Sequence, residues 1–155
     1  MSGFENLSND KVKIMMRLLN SKELCKALHY TNPNFLDQPD IEDPSELIYK
    51  NIYPYRFIPQ VNDTRSTYIT LSFGSYKPVG THFKTGIISF HAFTHLDLIR
   101  TDYDKLRYDF LIAEIDKLMN QQRGIGIGKM QFHEADELLV NENYVGMYVA
   151  YKLYE

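Results

Sequence analysis

Apolar residues recur along this chain with two different periods. Over residues 9–30, Val12, Met15, Met16 and Leu19 return at spacings of three and four, and Ile14 and Leu18 widen the stripe. That spacing predicts a helix with one buried face. Asn20-Ser21 interrupts it, and Ser21 can cap a second segment carrying Leu24, Cys25 and Leu28 on one side. A bent helix and two short helices both fit. Residues 31–46, TNPNFLDQPDIEDPSE, hold three prolines and five acids, which predicts an ordered loop. Residues 47–58, LIYKNIYPYRFI, are aromatic and β-branched, and Pro54 makes them an edge-type strand.

The period then changes to two. In residues 66–77, Ile69, Leu71 and Phe73 face one way and Tyr68, Thr70 and Ser72 the other. In residues 85–98, Ile88, Phe90, Ala92, Leu96 and Leu98 form one face, and Ser89, His91, Phe93, His95 and Asp97 form the other. The linker KPVGTHFK contains Pro and Gly, so residues 66–98 read as a long antiparallel hairpin, an arm able to protrude towards a neighbour. Residues 102–121 return to the helical period. Asp102 or Asp104 can cap them, and Leu106, Phe110, Ala113 and Leu118, with Leu111, Ile112, Ile115 and Met119, give a broad apolar face. Residues 129–135 and 144–154 read as closing strands. The predicted order is α-β-β-β-α-β-β. It implies an α+β domain over residues 1–155, a mostly antiparallel sheet with two helices packed on one face.

Composition narrows the function classes. A chain of 155 residues with 44% hydrophobic and 24% charged residues can build one core. The net charge of −3 gives little support to a binder that neutralises phosphates. Twelve Tyr and nine Phe without Trp suit half-buried sheets and subunit contacts. Cys25 is the single cysteine, so no internal disulfide forms, and its apolar surroundings predict a buried thiol. The start, MSGFENLSNDKVK, has no apolar signal core, and no stretch reaches the roughly 18 apolar residues of a membrane span. The expected location is the cytoplasm, or a particle assembled there.

Three patterns invite a chemical reading. Residues 124–129, GIGIGK, resemble a phosphate cradle, yet only three residues separate Gly124 from Gly128-Lys129, and Met130 stands where Ser or Thr is needed. The order is helix to strand, which presents a carbonyl end that repels phosphate. The glycines are read instead as turn residues: Gly124 ends the helix in the left-handed region, and Gly126 and Gly128 allow sharp strand entry or close backbone contact. His91 and His95 have the spacing of a metal pair on a helix, but on a strand four residues span about 13 Å. One zinc needs both nitrogens at about 2 Å, so no metal is expected. His95 with Asp97 could form an acid–base unit, although strand-face neighbours of this kind are common. No catalytic residue, cofactor or metal site is expected.

Several phrases together carry a likeness. They are KIMMRLLNSKELCKALHY, QPDIEDPSELIYKNIYPYRFIP, FHAFTHLDLIR, YDFLIAEIDKLMN and GIGKMQFHEADELLVNENYVGMYVAYKLY. With the element order, they make residues 10–154 resemble the neck and tail-completion proteins of long-tailed bacteriophages, the tail-terminator group in particular. The resemblance implies a structural protein of the virion and no enzyme. Such a subunit forms a ring, usually a homohexamer, at the head-proximal end of the tail. It ends the tail tube and docks the head connector, and phage DNA passes through the lumen without specific binding. A head–tail adaptor, head-closure or minor tail subunit is the alternative within that class, and a small His-based enzyme or binding domain the alternative outside it. Candidate interface residues are Tyr68, Tyr76, Pro78, His82, Phe83, His91 and Phe93 on the hairpin, and Asp40, Glu42 and Asp43 in the acidic loop. That loop, which also holds Asp37 and Glu46, could meet a partner or face the lumen.

Overall fold

The computed structural model describes residues 4–60 and 62–155. The first apolar stripe forms two helices, α1 (Leu7–Leu19) and α2 (Lys22–His29). The break falls at Asn20-Ser21, where the Leu24 N–H donates to Ser21 Oγ at 3.2 Å, the expected cap. Within α1 the buried stripe is rotated from the expected one. Ile14, Met15, Leu18 and Leu19 are buried, whereas Val12 and Met16 are 52% and 50% exposed. Asp10, one turn before Ile14, takes the remaining inward position.

Five strands follow in one sheet, ordered β1-β2-β3-β5-β4. They are β1 (Ile52–Tyr53), β2 (Thr67–Val79), β3 (Phe83–His95), β4 (Ile127–Leu139) and β5 (Tyr144–Tyr154), with α3 (Arg107–Met119) between β3 and β4. β1 runs parallel to β2, and all other pairs are antiparallel. The fold is therefore α+β with a mostly antiparallel sheet. Ile69 and Leu71 of β2, Ile88, Phe90 and Ala92 of β3, and Val149, Tyr151 and Leu153 of β5 share one core with the three helices. This is the alternation read from the sequence, lying against the helical faces.

Four boundaries differ from expectation. The strand expected over residues 47–58 is reduced to Ile52–Tyr53, because a 3-10 turn occupies Pro44–Leu47 and Tyr49 has φ 62°. Pro54 then ends the pairing, having no N–H to offer. β3 stops at His95, and a 3-10 turn carries Leu98 inwards but leaves Leu96 46% exposed. α3 begins at Arg107, and neither Asp102 nor Asp104 caps it. Asp104 sits in a left-handed turn, while Leu106 and Ala113, expected on the apolar face, are exposed. β4 extends to Leu139, four residues past its expected end.

The helix end also differs. Gly124 lies beyond it. The chain reverses at Gln121, with φ 61°, whose N–H donates to the Met130 carbonyl at 2.8 Å. Gly126 does serve a close approach, since a Cβ there would stand 2.6 Å from the Tyr154 carbonyl oxygen.

Arg107 fastens these parts together. It is fully buried, and its guanidinium donates to four backbone carbonyls. Nε reaches Leu98 at 2.9 Å, Nη1 reaches Ala27 at 2.9 Å and Tyr30 at 3.0 Å, and Nη2 reaches Asn32 at 2.9 Å. Ala27 and Tyr30 lie at the carbonyl end of α2, where a cation is favoured. The ring of Phe35 stacks 4.7 Å from the guanidinium carbon. Burial draws the Arg107 pKa down to about 10, so the group is charged at neutral pH. Arg107→Leu strands four carbonyls, and each buried unpaired polar group costs about 1–3 kcal/mol. Urea unfolding of that variant is expected to show a loss of about 3 kcal/mol or more. A loss below about 1 kcal/mol would contradict this role.

Candidate interaction surfaces

The hairpin is less free than its length suggests. β3 pairs with β2 on one side and with β5 on the other, from His95↔Tyr144 to Thr85↔Tyr154. Only the tip beyond Lys84 is two-stranded, since the Lys84 and Glu155 backbones still exchange hydrogen bonds at 2.9 and 2.8 Å. A bulge between Gly74 and Lys77 turns β2, and the Phe4 ring packs edge-on against Tyr76 at 5.1 Å. The arm is thus held to the body almost to its end.

The expected interface residues divide into three groups. Pro78, His82 and Phe83 are exposed at the tip, with Phe83 51% accessible, and Tyr76 is half-buried beside Phe4. Asp40, Glu42 and Asp43 are exposed in the acidic loop. Asp40 lies 3.3 Å from Lys22 Nζ and 3.2 Å from Lys26 Nζ, and hydrogen bonds from these two hold its carboxyl below the usual range. Asp43 Oδ1 accepts from the Ser45 N–H and starts the next 3-10 turn. Tyr68, His91 and Phe93 lie inside rather than on the surface. Tyr68 and Phe93 join Tyr144 in a second apolar cluster on the far face of the sheet, covered by Tyr53, Phe57, Leu138 and Val140. Period-two alternation marks the two faces of a strand, and it does not show that a returning segment covers the second face as well.

His91 sits under this cover. Its Nδ1 lies 3.2 Å from the Thr70 carbonyl oxygen, and burial, helped by nearby Arg56, lowers its pKa to about 4. His95 accepts from the Asp97 N–H and stands 3.8 Å from the Asp97 carboxylate, which itself pairs with Arg65 at 2.8 Å. Asp97 is thus committed to a surface ion pair. No group of three or more metal-ligating side chains occurs among the described residues.

Two exposed surfaces lie outside the expected interface residues. Residues 49–57, YKNIYPYRF, interleave rings with two cations: Lys50 lines a hollow at the β1 edge with Tyr53, Phe57 and Asp63, and Arg56 lies over the far face of the sheet, in a hollow with His91, Leu138 and Leu139. Tyr49 and Tyr55 are 61% and 50% exposed, Tyr53 stacks on Phe57 at 4.1 Å, and Lys50 and Arg56 face solvent. At the opposite edge, β4 is exposed over most of its length. It carries Glu134, Asp136 and Glu137 between Phe132, 54% exposed, and Leu139, 78% exposed. The interleaving in YKNIYPYRF was the available signal for the first. Reading β4 as ending at residue 135 concealed the second.

The family model YomW matches residues 21–153. The chain belongs to the YomW family. Membership of that family points to a phage-associated protein. No curated protein matches the chain. The YomW match takes in α2, β1 to β4, α3 and β5 up to Leu153, so both sheet edges and the hairpin tip lie within it.

His91 gives this YomW-family fold a pH dependence of known sign. The folded pKa of about 4 lies below the ordinary 6.5, so the unfolded chain takes up the proton first. The contribution is fully present above pH 6.5 and is lost as pH falls towards 4. Glu155 acts in the opposite sense, because burial and the Asp10 carboxyl push its pKa up to about 7. The His91 term is isolated by comparing wild type with His91→Gln. The stability difference between them is expected to fall by roughly 3 kcal/mol from pH 7 to pH 4. A difference that does not change with pH would contradict the buried neutral imidazole.

Proposed function

We propose that this chain is a structural protein of a phage virion, forming a ring at the head-proximal end of the tail. There it ends the tail tube and joins it to the head connector. The observation that carries this reading is the apolar end of the sheet. Phe83 and Val79 at the hairpin tip are 51% and 40% exposed, and Phe4 beside them is 60% exposed. Ile127, 51% exposed, is at the same end, since it pairs with Tyr154 and Tyr154 with Thr85. Exposed apolar side chains gathered at one end of a small domain are suited to burial against another protein. Family membership and the resemblance in element order supply the phage setting. The work of such a subunit is binding, not catalysis, and its partners are further copies of itself, the tail tube and the connector. DNA crosses the lumen without specific contacts, and the protein resides in the virion after assembly in the host cytoplasm.

The test is a phage that encodes this chain with Val79→Asp and Phe83→Asp. Both side chains are exposed, so the purified variant is expected to unfold at the wild-type urea midpoint. Joined, infectious particles are expected to drop at least tenfold, with unjoined heads and tails visible by electron microscopy. Wild-type yields of infectious particles would contradict the reading.

A further inference from the structure

Two acids meet out of water at one end of the sheet. Asp10 of α1 and Glu155, just after β5, are 5% and 6% exposed. Their carboxyl groups lie within hydrogen-bond reach of each other. They line one hollow of about 300 Å³ together with Asn6, Asn9, Lys13 and Gly126. Neither forms an ion pair within 4.0 Å among the described residues. Two carboxylates in contact cannot both stay ionised at low cost, whereas one shared proton turns the repulsion into a hydrogen bond. The negative charge that remains lies by the first turn of α1, where the helix dipole favours it.

Both acids are held in place by their surroundings. The Lys84 and Glu155 backbones exchange hydrogen bonds at 2.9 and 2.8 Å, which fixes Glu155 beside β3. The glycine run at 124–128 forms a wall of the hollow. Gly126 has φ 64°, and a Cβ there would stand 3.6 Å from Glu155 Cγ, so the turn lies directly against that side chain. Tyr76 of β2 faces the pair, since the charges of Glu155 and Asp10 add to burial in raising its phenol to about 12. The Phe4 ring packs on Tyr76 from outside, and Lys84 Nζ stands 4.9 Å from the centre of the Phe4 ring. The 3-10 turn Phe4–Asn6 is thus joined to the sheet at two points, Phe4 on Tyr76 and Asp10 on Glu155.

We propose that the Asp10–Glu155 pair is a proton-operated latch, which holds the Phe4–Asn6 turn on the sheet while the proton is shared and lets it leave Tyr76 when the proton is lost. The latch stands apart from the assembly reading. It lies at the end of the sheet that carries Val79, Phe83 and Ile127, so its state changes what that end presents. The charged and titratable groups facing the pair are Lys13 from α1, Tyr76 from β2 and Lys84 from β3, and residues 124–127 contribute none. Burial and the Asp10 carboxyl push Glu155 from 4.5 up to about 7, against the opposing pull of Lys84. A raised carboxyl pKa stabilises the closed form fully below pH 4.5, and that contribution is lost as pH rises through about 7.

The chain has no Trp, so Phe4→Trp places a single fluorescent reporter on the latch. Phe4 is 60% exposed, which leaves room for the larger ring. Emission of that variant is expected to move to longer wavelength between pH 5.5 and 8.5, with a midpoint near 7 and an unchanged circular dichroism spectrum. Adding Glu155→Gln keeps a donor towards Asp10 and removes the second charge, so emission is expected to stay at its low-pH position throughout. A histidine response would persist in that variant. Carbon-13 NMR of the wild-type carboxyl groups is expected to show Glu155 titrating near 7. A Glu155 midpoint near 4.5 overturns the shared proton. A flat Phe4→Trp emission beside a carboxyl that titrates near 7, or a red shift that survives Glu155→Gln, overturns the latch.

Discussion

The fold depends on one buried cation. Arg107 stands at the first position of α3 and satisfies four carbonyls from Ala27, Tyr30, Asn32 and Leu98. These belong to the end of α2, the loop after it and the turn after β3. None of these segments pairs its own carbonyls at that point, so the guanidinium replaces a missing piece of secondary structure. Phe35 covers the guanidinium, and the Tyr103 hydroxyl accepts from the Leu36 N–H at 3.0 Å beside it. A Lys at this position has one point of charge and no planar fork, and could not reach all four. The start of α3 is thereby tied to the end of α2, to the loop after it and to the turn that leaves β3.

A second arrangement shapes the surface. One face of the sheet is covered by helices, and the base of the other is covered by residues 53–58 and the end of β4. Apolar contact surface is therefore moved to the rims: the hairpin tip at one end, and the β1 and β4 edges at the sides. Large exposed rings and aliphatic side chains lie on these rims, and β4 adds Glu134, Asp136 and Glu137.

Much of the fold was legible in the sequence. Ile69, Leu71, Ile88, Phe90 and Ala92 could be assigned to one face because alternation reports burial directly, and Ser21 could be placed as a cap by its chemistry. The misplaced features depended on long-range contacts. Arg107 looks like a surface residue at the start of a helix until α2 and the loop after it are brought to it. Tyr68, His91 and Phe93 looked available for a neighbour because the strand pattern cannot show that residues 53–58 fold back over them. Val12 and Met16 were assigned to the core because the buried position belongs to Asp10, which hydropathy would never choose. The exposure of Pro78, His82 and Phe83 was legible through the turn between two strong strands. The outermost place of β1 was legible through Pro54, whereas that of β4 was not, since which closing strand ends up outermost is a property of the sheet order.

The proposed ring subunit closes on further copies of itself, and the mass of the purified wild-type protein tests that most directly. Light scattering after size exclusion, at low and high protein concentration, distinguishes the 18.2 kDa monomer from an assembly. A closed homohexamer is predicted, at about 109 kDa and independent of concentration over the working range. A mass that stays at the monomer value at both concentrations would contradict it.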